Sequence, residues 1–337
     1  MMHSRTLALA FALLLATPSL ACNGSPDLCS KPYNQLAYAT THNSFASGFN
    51  TAANQQFDIP TQLKDGIRGL MLDAHKPPAG KEANVIQLCH TSCDLLDAGS
   101  AGNTLKNIKT FLQANPQEVV TIFWENFDKF PASTFAQVYQ SAGVMDMVYS
   151  HTPGAPWPTL GDLVKQGKRI VNFIGDSTDD SQPWLIPEFE YVFETPFQVP
   201  SNDAFTCTVD RPAGTSPNGK MYLINHFIYS ALTIGGQQVE LPQQGQQNVT
   251  NGQVLVDHVN SCSQTFGRNA NFIAVDWYTA NDGQVLKLVS QLNGVPYVAR
   301  ALGSPMQGKK SAAAGLPNSF AALWTSLTLL ALWSLAL

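Results

Sequence analysis

Six short apolar runs in this chain close on polar residues that move protons or bind cations. The first ends in Thr41-His42-Asn43-Ser44, the second in Asp73-Ala74-His75 and the third in Cys89-His90. The fourth ends in Glu125-Asn126, the seventh in Asn225-His226 and the eighth in Asp276. Any one of these reads most simply as a hydrogen-bonded loop residue; their joint placement points to a site. Two histidines beside carboxylates suit acid–base chemistry near neutral pH, because imidazole titrates closest to that range and can take a proton while its partner gives one. The sequence has no Gly-x-Ser-x-Gly elbow and no glycine-rich phosphate loop, so serine-hydrolase and nucleotide-binding chemistry lose support.

Such residues must be held by a frame, and the frame is legible as alternation. Strand-like runs fall at Leu36–Thr41, Ile67–Asp73, Val85–Cys89, Glu118–Glu125, Arg169–Ile174, Tyr191–Glu194, Met221–His226 and Phe272–Asp276. Helical patterns fall at Thr104–Ala114, Ala132–Ala142, Thr159–Gln166, Gln253–Ser263 and Gly283–Leu292, with proline and glycine at their limits. Eight apolar strands alternating with helices predict a parallel α/β sheet closed as a (β/α)8 barrel, in a single domain. In that fold the site lies at the C-terminal ends of the strands, where the six polar closures sit. The glutamine-rich stretch Gln237–Gln247 reads as an exposed loop.

Composition fixes the surroundings. The chain has 337 residues, only 13% charged, and its net charge is -5. Arg5, Lys309 and Lys310 lie in acid-free terminal segments, which leaves 16 of the 19 bases facing all 24 acids in the body. A body at about -8 has no long-range attraction for nucleic acid, whose phosphates share its sign. Residues 1–21 read as a signal peptide cut after Ala21, with an apolar core at Leu7–Leu15 too short for a membrane span. Residues 309–337 read as a GPI-anchor signal: the small residues Ser311–Gly315 precede an uncharged apolar tail, Phe320–Leu337. The expected mature domain is 22–308, secreted and tethered to the extracellular face of the membrane or wall.

Six cysteines suit that compartment. Sequence proximity favours Cys22–Cys29, Cys89–Cys93 and Cys207–Cys262 among the fifteen possible pairings. The rival reading, zinc held by Cys89, His90 and Cys93, requires free thiolates. Asn23 and Asn248 head N-glycosylation sequons.

Four stretches resemble the phosphatidylinositol-specific phospholipase C X-domain family, in particular its small secreted phospholipase-C-like phosphodiesterases. They are Ala39–Ser44, Gln62–Asp73, Gln87–His90 and Val119–Asn126, with a looser likeness at Asn271–Tyr278. The resemblance implies a distorted TIM-type barrel that cleaves a phospholipid or related phosphodiester. His42 would be the general base, His90 the general acid on the leaving alcohol, and Asp276 the carboxylate that orients His42. Asn43, Asp73 and Glu125 fall where calcium-dependent members place their ligands, which implies Ca²⁺ as a cofactor. One departure weakens that implication: the family pattern has two acids on strand two, and here the first is Met71. His75, on the face of Asp73 by alternation, is a candidate phosphate contact instead. A tethered non-catalytic barrel that binds a lipid or glycan, and a glycoside hydrolase using paired carboxylates, are the competing classes. No protein partner is expected.

Overall fold

The computed structural model describes residues 21–79, 85–175, 179, 181–234 and 237–303. The signal-peptide core and the anchor tail expected from the sequence lie outside these residues. No helix among the described residues is long and apolar enough to cross a membrane.

Among the described residues there are twelve strands. They are β1 (Tyr38–Thr41), β2 (Gly69–His75), β3 (Gln87–Cys89), β4 (Asp97–Ser100), β5 (Val120–Glu125) and β6 (Ile170–Ile174), then β7 (Leu185–Pro187), β8 (Val192–Glu194), β9 (Met221–His226), β10 (Tyr229–Ile234), β11 (Gln237–Pro242) and β12 (Phe272–Val275). Eight run parallel in the order β7-β6-β5-β2-β1-β12-β9-β8. Helices such as Ala101–Ala114, Ala132–Ala142, Leu255–Phe266 and Ala280–Leu292 bury one apolar stripe each. The result is a distorted TIM-type α/β barrel in one domain. Among the described residues no ladder joins β7 to β8, which are linked along the chain by a single helical turn, Glu188–Tyr191. That open seam is the distortion.

The strand set differs from the sequence reading in three places. The run Val85–Cys89 is not a barrel strand: its core, β3, pairs antiparallel with β2 and with β4, forming an arm beside the barrel. The eighth parallel strand is β7 instead, three residues followed by Glu188, and too short to announce itself by pattern. The glutamine-rich stretch contains β11, which pairs antiparallel with β10 from Tyr229↔Pro242 to Ile234↔Gln237.

The polarity of the barrel follows from side-chain alternation. Leu70, Leu72 and Ala74 of β2 and Val120, Ile122 and Trp124 of β5 join the core beneath the helices. The intervening Met71, Phe123 and Phe173 join Tyr33, Tyr38, Leu223 and Phe272 in a second core that fills the barrel. Continuing the inward parity by one step brings Asp73, Glu125, Asn225, Asp276 and His42 to the C-terminal rim. Close approach of β1 and β2 depends on Gly69, because a Cβ there would meet Thr40 Oγ1 at 2.2 Å. Cys22–Cys29, Cys89–Cys93 and Cys207–Cys262 are disulfide-bonded, with Cα separations of 5.0, 4.8 and 5.1 Å. The thiolates that a zinc site at Cys89 and Cys93 would need are therefore absent.

Candidate active site

A cavity of about 360 Å³ opens at the C-terminal rim, lined among others by His42, Asn43, Asp73, His90, Glu125 and Arg211. His42 is placed where β1 hands over to the following turn. Its backbone N–H donates to Val275 O at 3.0 Å, and Gln55 Nε2 donates to both His42 O (2.8 Å) and Val275 O (2.9 Å). The imidazole stacks on Phe227 with centroids 3.6 Å apart, and its Nδ1 lies 2.9 Å from Asp276 Oδ1. Asn54 Nδ2 donates to the other Asp276 oxygen at 3.0 Å. Both torsions of the ring are thereby held, and Nε2 faces the cavity.

His90 arrives by a different route. It follows the arm strand β3 and is held by the neighbouring Cys89–Cys93 bridge and by its backbone N–H to Leu96 O at 3.1 Å. Its Nδ1 lies 2.6 Å from the carbonyl of Ala52. A carbonyl only accepts, so Nδ1 carries a proton, and a proton on Nε2 makes the ring an imidazolium. Burial pushes the pKa of His90 below the usual 6.5, partly offset by the Ala52 carbonyl.

Asn43 ties the two rings together. Its backbone is left-handed (φ 42°), a conformation asparagine tolerates better than most residues. The hydrogen-bond network sets its amide oxygen 3.2 Å from Nε2 of both His42 and His90, and its nitrogen 3.3 and 3.2 Å from the two Asp73 oxygens. Both imidazoles thus reach one point. Asp73 is buried, which raises its pKa well above the carboxylate range, and the charge of Glu125 adds to the shift while Arg211 opposes it.

The remaining wall is an ion cluster that the sequence did not announce. Arg211 Nη2 lies 2.7 Å from Glu125 Oε1 and 2.7 Å from Glu194 Oε2, and Nε donates to Glu194 at 2.9 Å. Its guanidinium sits over the Phe197 ring at 4.8 Å. Burial opposes its charge, but Glu194, Glu125 and Glu188 outweigh that and hold it cationic. Glu188 is buried beside Glu194, and its pKa is raised well above the usual range by desolvation first and by its acidic neighbours second. Glu194 closes β8 as Glu125 closes β5, so one signal was available in the sequence. Arg211, in an irregular loop, offered none.

This arrangement does not fit a calcium shell. Glu125 is engaged by a permanent cation, and the Asn43 amide serves Asp73 and the histidines. Among the described residues, the group of His, Cys, Asp and Glu dense enough to hold a metal is Cys207, His258 and Cys262, and its sulfurs are bonded to each other. The expected ligands Asn43, Asp73 and Glu125 are brought to one rim, where each has protein partners.

Two other histidines on the sequence list stand apart. His75 stacks on Phe127 at 4.9 Å, with Nδ1 3.5 Å from Asp128 Oδ2, and does not line the cavity. His226 has outward parity on β9; its Nδ1 meets His258 Nδ1 at 2.9 Å and its Nε2 meets Thr250 O at 2.8 Å. Burial lowers its pKa to about 3.

A TIM-type barrel with two histidines converging on one rim cavity beside an arginine defines a class of protein equipped for acid–base chemistry at that rim. Comparison with known proteins narrows the class. The family model described as PI-PLC X 1 matches residues 28–293. A PI-PLC X domain-containing protein 1 of Arthroderma benhamiae is 35% identical over 84% of this chain and 96% of its own length. An uncharacterized secreted protein of the same fungus is 32% identical over 85% of this chain and 67% of its own. Phosphatidylinositol-specific phospholipase C from Listeria monocytogenes has the same fold, with a TM-score of 0.52 at 17% identity over 82% of this chain and 96% of its own. A Staphylococcus aureus phosphatidylinositol-specific phospholipase C gives 0.57 at 16% identity over 80% and 95%. The chain belongs to the PI-PLC X domain family.

Proposed function

We propose that this protein is a phosphoric diester hydrolase of phospholipase C type, acting on a phospholipid or related phosphodiester. The observation that carries the reading is the asymmetry of the two imidazoles. Nδ1 of His42 faces a carboxylate, and Nδ1 of His90 faces a neutral carbonyl. A carboxylate stabilises the imidazolium formed when a ring accepts a proton, so His42 is the base and Asp276 its orienting partner. A ring that is buried beside a neutral carbonyl gives its proton up readily, so His90 is the acid.

The step balances within the site. With His42 neutral and unprotonated at Nε2, a substrate hydroxyl vicinal to the phosphodiester loses its proton to that nitrogen, and the hydroxyl oxygen bonds to phosphorus. The bond from phosphorus to the leaving oxygen breaks, and His90 Nε2 protonates that oxygen. Arg211, which lines the same cavity, compensates charge on the phosphoryl oxygens. Reversing the two histidine roles with water opens the cyclic product.

Export and lipid tethering belong to the same reading. The three disulfides suit an oxidising compartment. Of the two sequon asparagines, Asn248 is exposed, whereas the Asn23 amide oxygen accepts from Val119 N at 2.7 Å.

The test is hydrolysis of phosphatidylinositol, a phosphatidylcholine control and an aryl glycoside by the purified mature chain and by His42→Ala. Phosphodiester turnover lost in the variant supports the proposal. A wild-type chain without turnover favours the non-catalytic barrel, and glycoside turnover that survives His42→Ala favours the glycosidase.

A further inference from the structure

A second cavity, of about 540 Å³, is lined in part by the segment that follows Asp276. One wall is the turn after β12, where Trp277 (φ 45°), Asn281 (52°) and Asp282 (53°) all adopt left-handed backbone. Three such residues in six positions are costly and persist where the surroundings fix them. Here Trp277 N donates to Asn54 O at 2.8 Å, Thr279 Oγ1 donates to Gln56 Oε1 at 3.3 Å, and Asn281 Nδ2 donates to Asn248 O at 2.7 Å. The turn that walls the cavity is therefore braced by hydrogen bonds to two other segments, at Asn54–Gln56 and at Asn248.

Its chemistry is distinct from that of the catalytic cavity. The lining includes the amides of Gln56, Gln244, Gln247 and Asn281, with Asp282 as its one ionised side chain and no Lys, Arg or His. A phosphate finds no counter-charge there. Amides both donate and accept, as sugar hydroxyl and acetamido groups do. The aromatic rings of Phe49 and Trp277 complete the lining, and the ring of Phe49 is fully exposed and so open to a ligand. An exposed ring beside paired amides matches a pyranose, whose C–H face stacks on the ring while its edge hydroxyls are bonded. Asn248, the acceptor of a sequon, lies on the same wall.

We propose that this cavity is a carbohydrate subsite for one or two neutral pyranose units, standing independently of the catalytic reading. The sugar comes either from the chain's own glycan on Asn248 or from a ligand that carries one.

The experiment titrates N,N′-diacetylchitobiose against the full mature chain in three forms: as secreted, after enzymatic removal of N-glycans, and as Asn248→Gln. Ligand-observed NMR is the readout. Binding to all three forms assigns the cavity to a ligand-borne sugar; binding only to the deglycosylated and Asn248→Gln forms assigns it to the chain's own glycan. In either case Phe49→Ala, a fully exposed position, weakens binding by about tenfold, the scale of one lost aromatic contact. Absence of disaccharide binding in every form overturns the proposal. So does a Phe49→Ala variant that binds the disaccharide undiminished and instead loses affinity for phosphatidylcholine vesicles, which would make Phe49 a membrane contact.

Discussion

Nδ1 of His42 lies 2.9 Å from Oδ1 of Asp276, although 234 residues separate them in the chain. Asn54 holds the second carboxylate oxygen and Phe227 covers the ring face, so the pair has one geometry rather than a range.

Replacing Asp276 by Asn keeps the shape and removes the charge that supports His42 as an imidazolium. The expected outcome is a fall in kcat of about 10²–10⁴. The melting temperature should move by only a few degrees, because about 1 kcal/mol of hydrogen bonding is at stake. Phosphodiester turnover and a thermal melt on the same preparation check this; a variant retaining a third of its activity would remove Asp276 from the machinery.

His90 must be protonated to act as the acid, and burial lowers its pKa below 6.5. The rate therefore falls as pH rises through that lowered value, and the descending limb of kcat/KM lies on the acidic side of 6.5. The stability sign is opposite. A ring held neutral in the fold takes up protons more readily when unfolded, so its contribution is complete above 6.5 and fades as pH falls towards the folded pKa. A pH profile of kcat/KM beside one of the melting temperature separates the two effects.

Arg211 engages Glu125, one of the residues expected to hold a divalent cation, and Glu194, each at 2.7 Å. Activity should survive EDTA in full, and added Ca²⁺ should not raise it. Arg211→Lys keeps the charge but loses the planar fork that reaches two carboxylates at once, and is expected to lower kcat/KM by about tenfold or more. Chelator-sensitive activity restored by Ca²⁺ would show that the carboxylates rearrange around a metal.

The disulfides should divide by role. Cys89–Cys93 closes only a four-residue loop and contributes about 2 kcal/mol of stability on chain-entropy grounds, yet it presents His90. Cys207–Cys262 spans 55 residues and contributes about 4 kcal/mol, far from the histidine pair in sequence. Cys89→Ser with Cys93→Ser is expected to lose activity out of proportion to its melting temperature, and Cys207→Ser with Cys262→Ser the reverse. Equal ratios of activity loss to stability loss in the two double variants would contradict this division.

The barrel and much of its rim are legible in the residue pattern alone. Apolar runs such as Val120–Glu125 and Met221–His226 carry their strand identity locally, and alternation along them predicts which terminal residue faces inward. Closing such runs at their C-terminal ends puts Asp73, Glu125 and Asp276 at one rim of a barrel. The residue pattern could not detect β7, whose three residues are too few for a period to show, nor tell that β3 turns aside into an antiparallel arm, because a strand's partner is not written in its own pattern. Only the tertiary structure decided what the rim residues do to one another. Arg211 lies in a loop with no local signature, and its meeting with Glu125 depends on the packing of segments 86 residues apart. Whether a carboxylate accepts a metal, an arginine or a histidine depends on distances of a few ångströms, over which electrostatic energies change by several kcal/mol in a buried site. Sequence order carries no information at that scale.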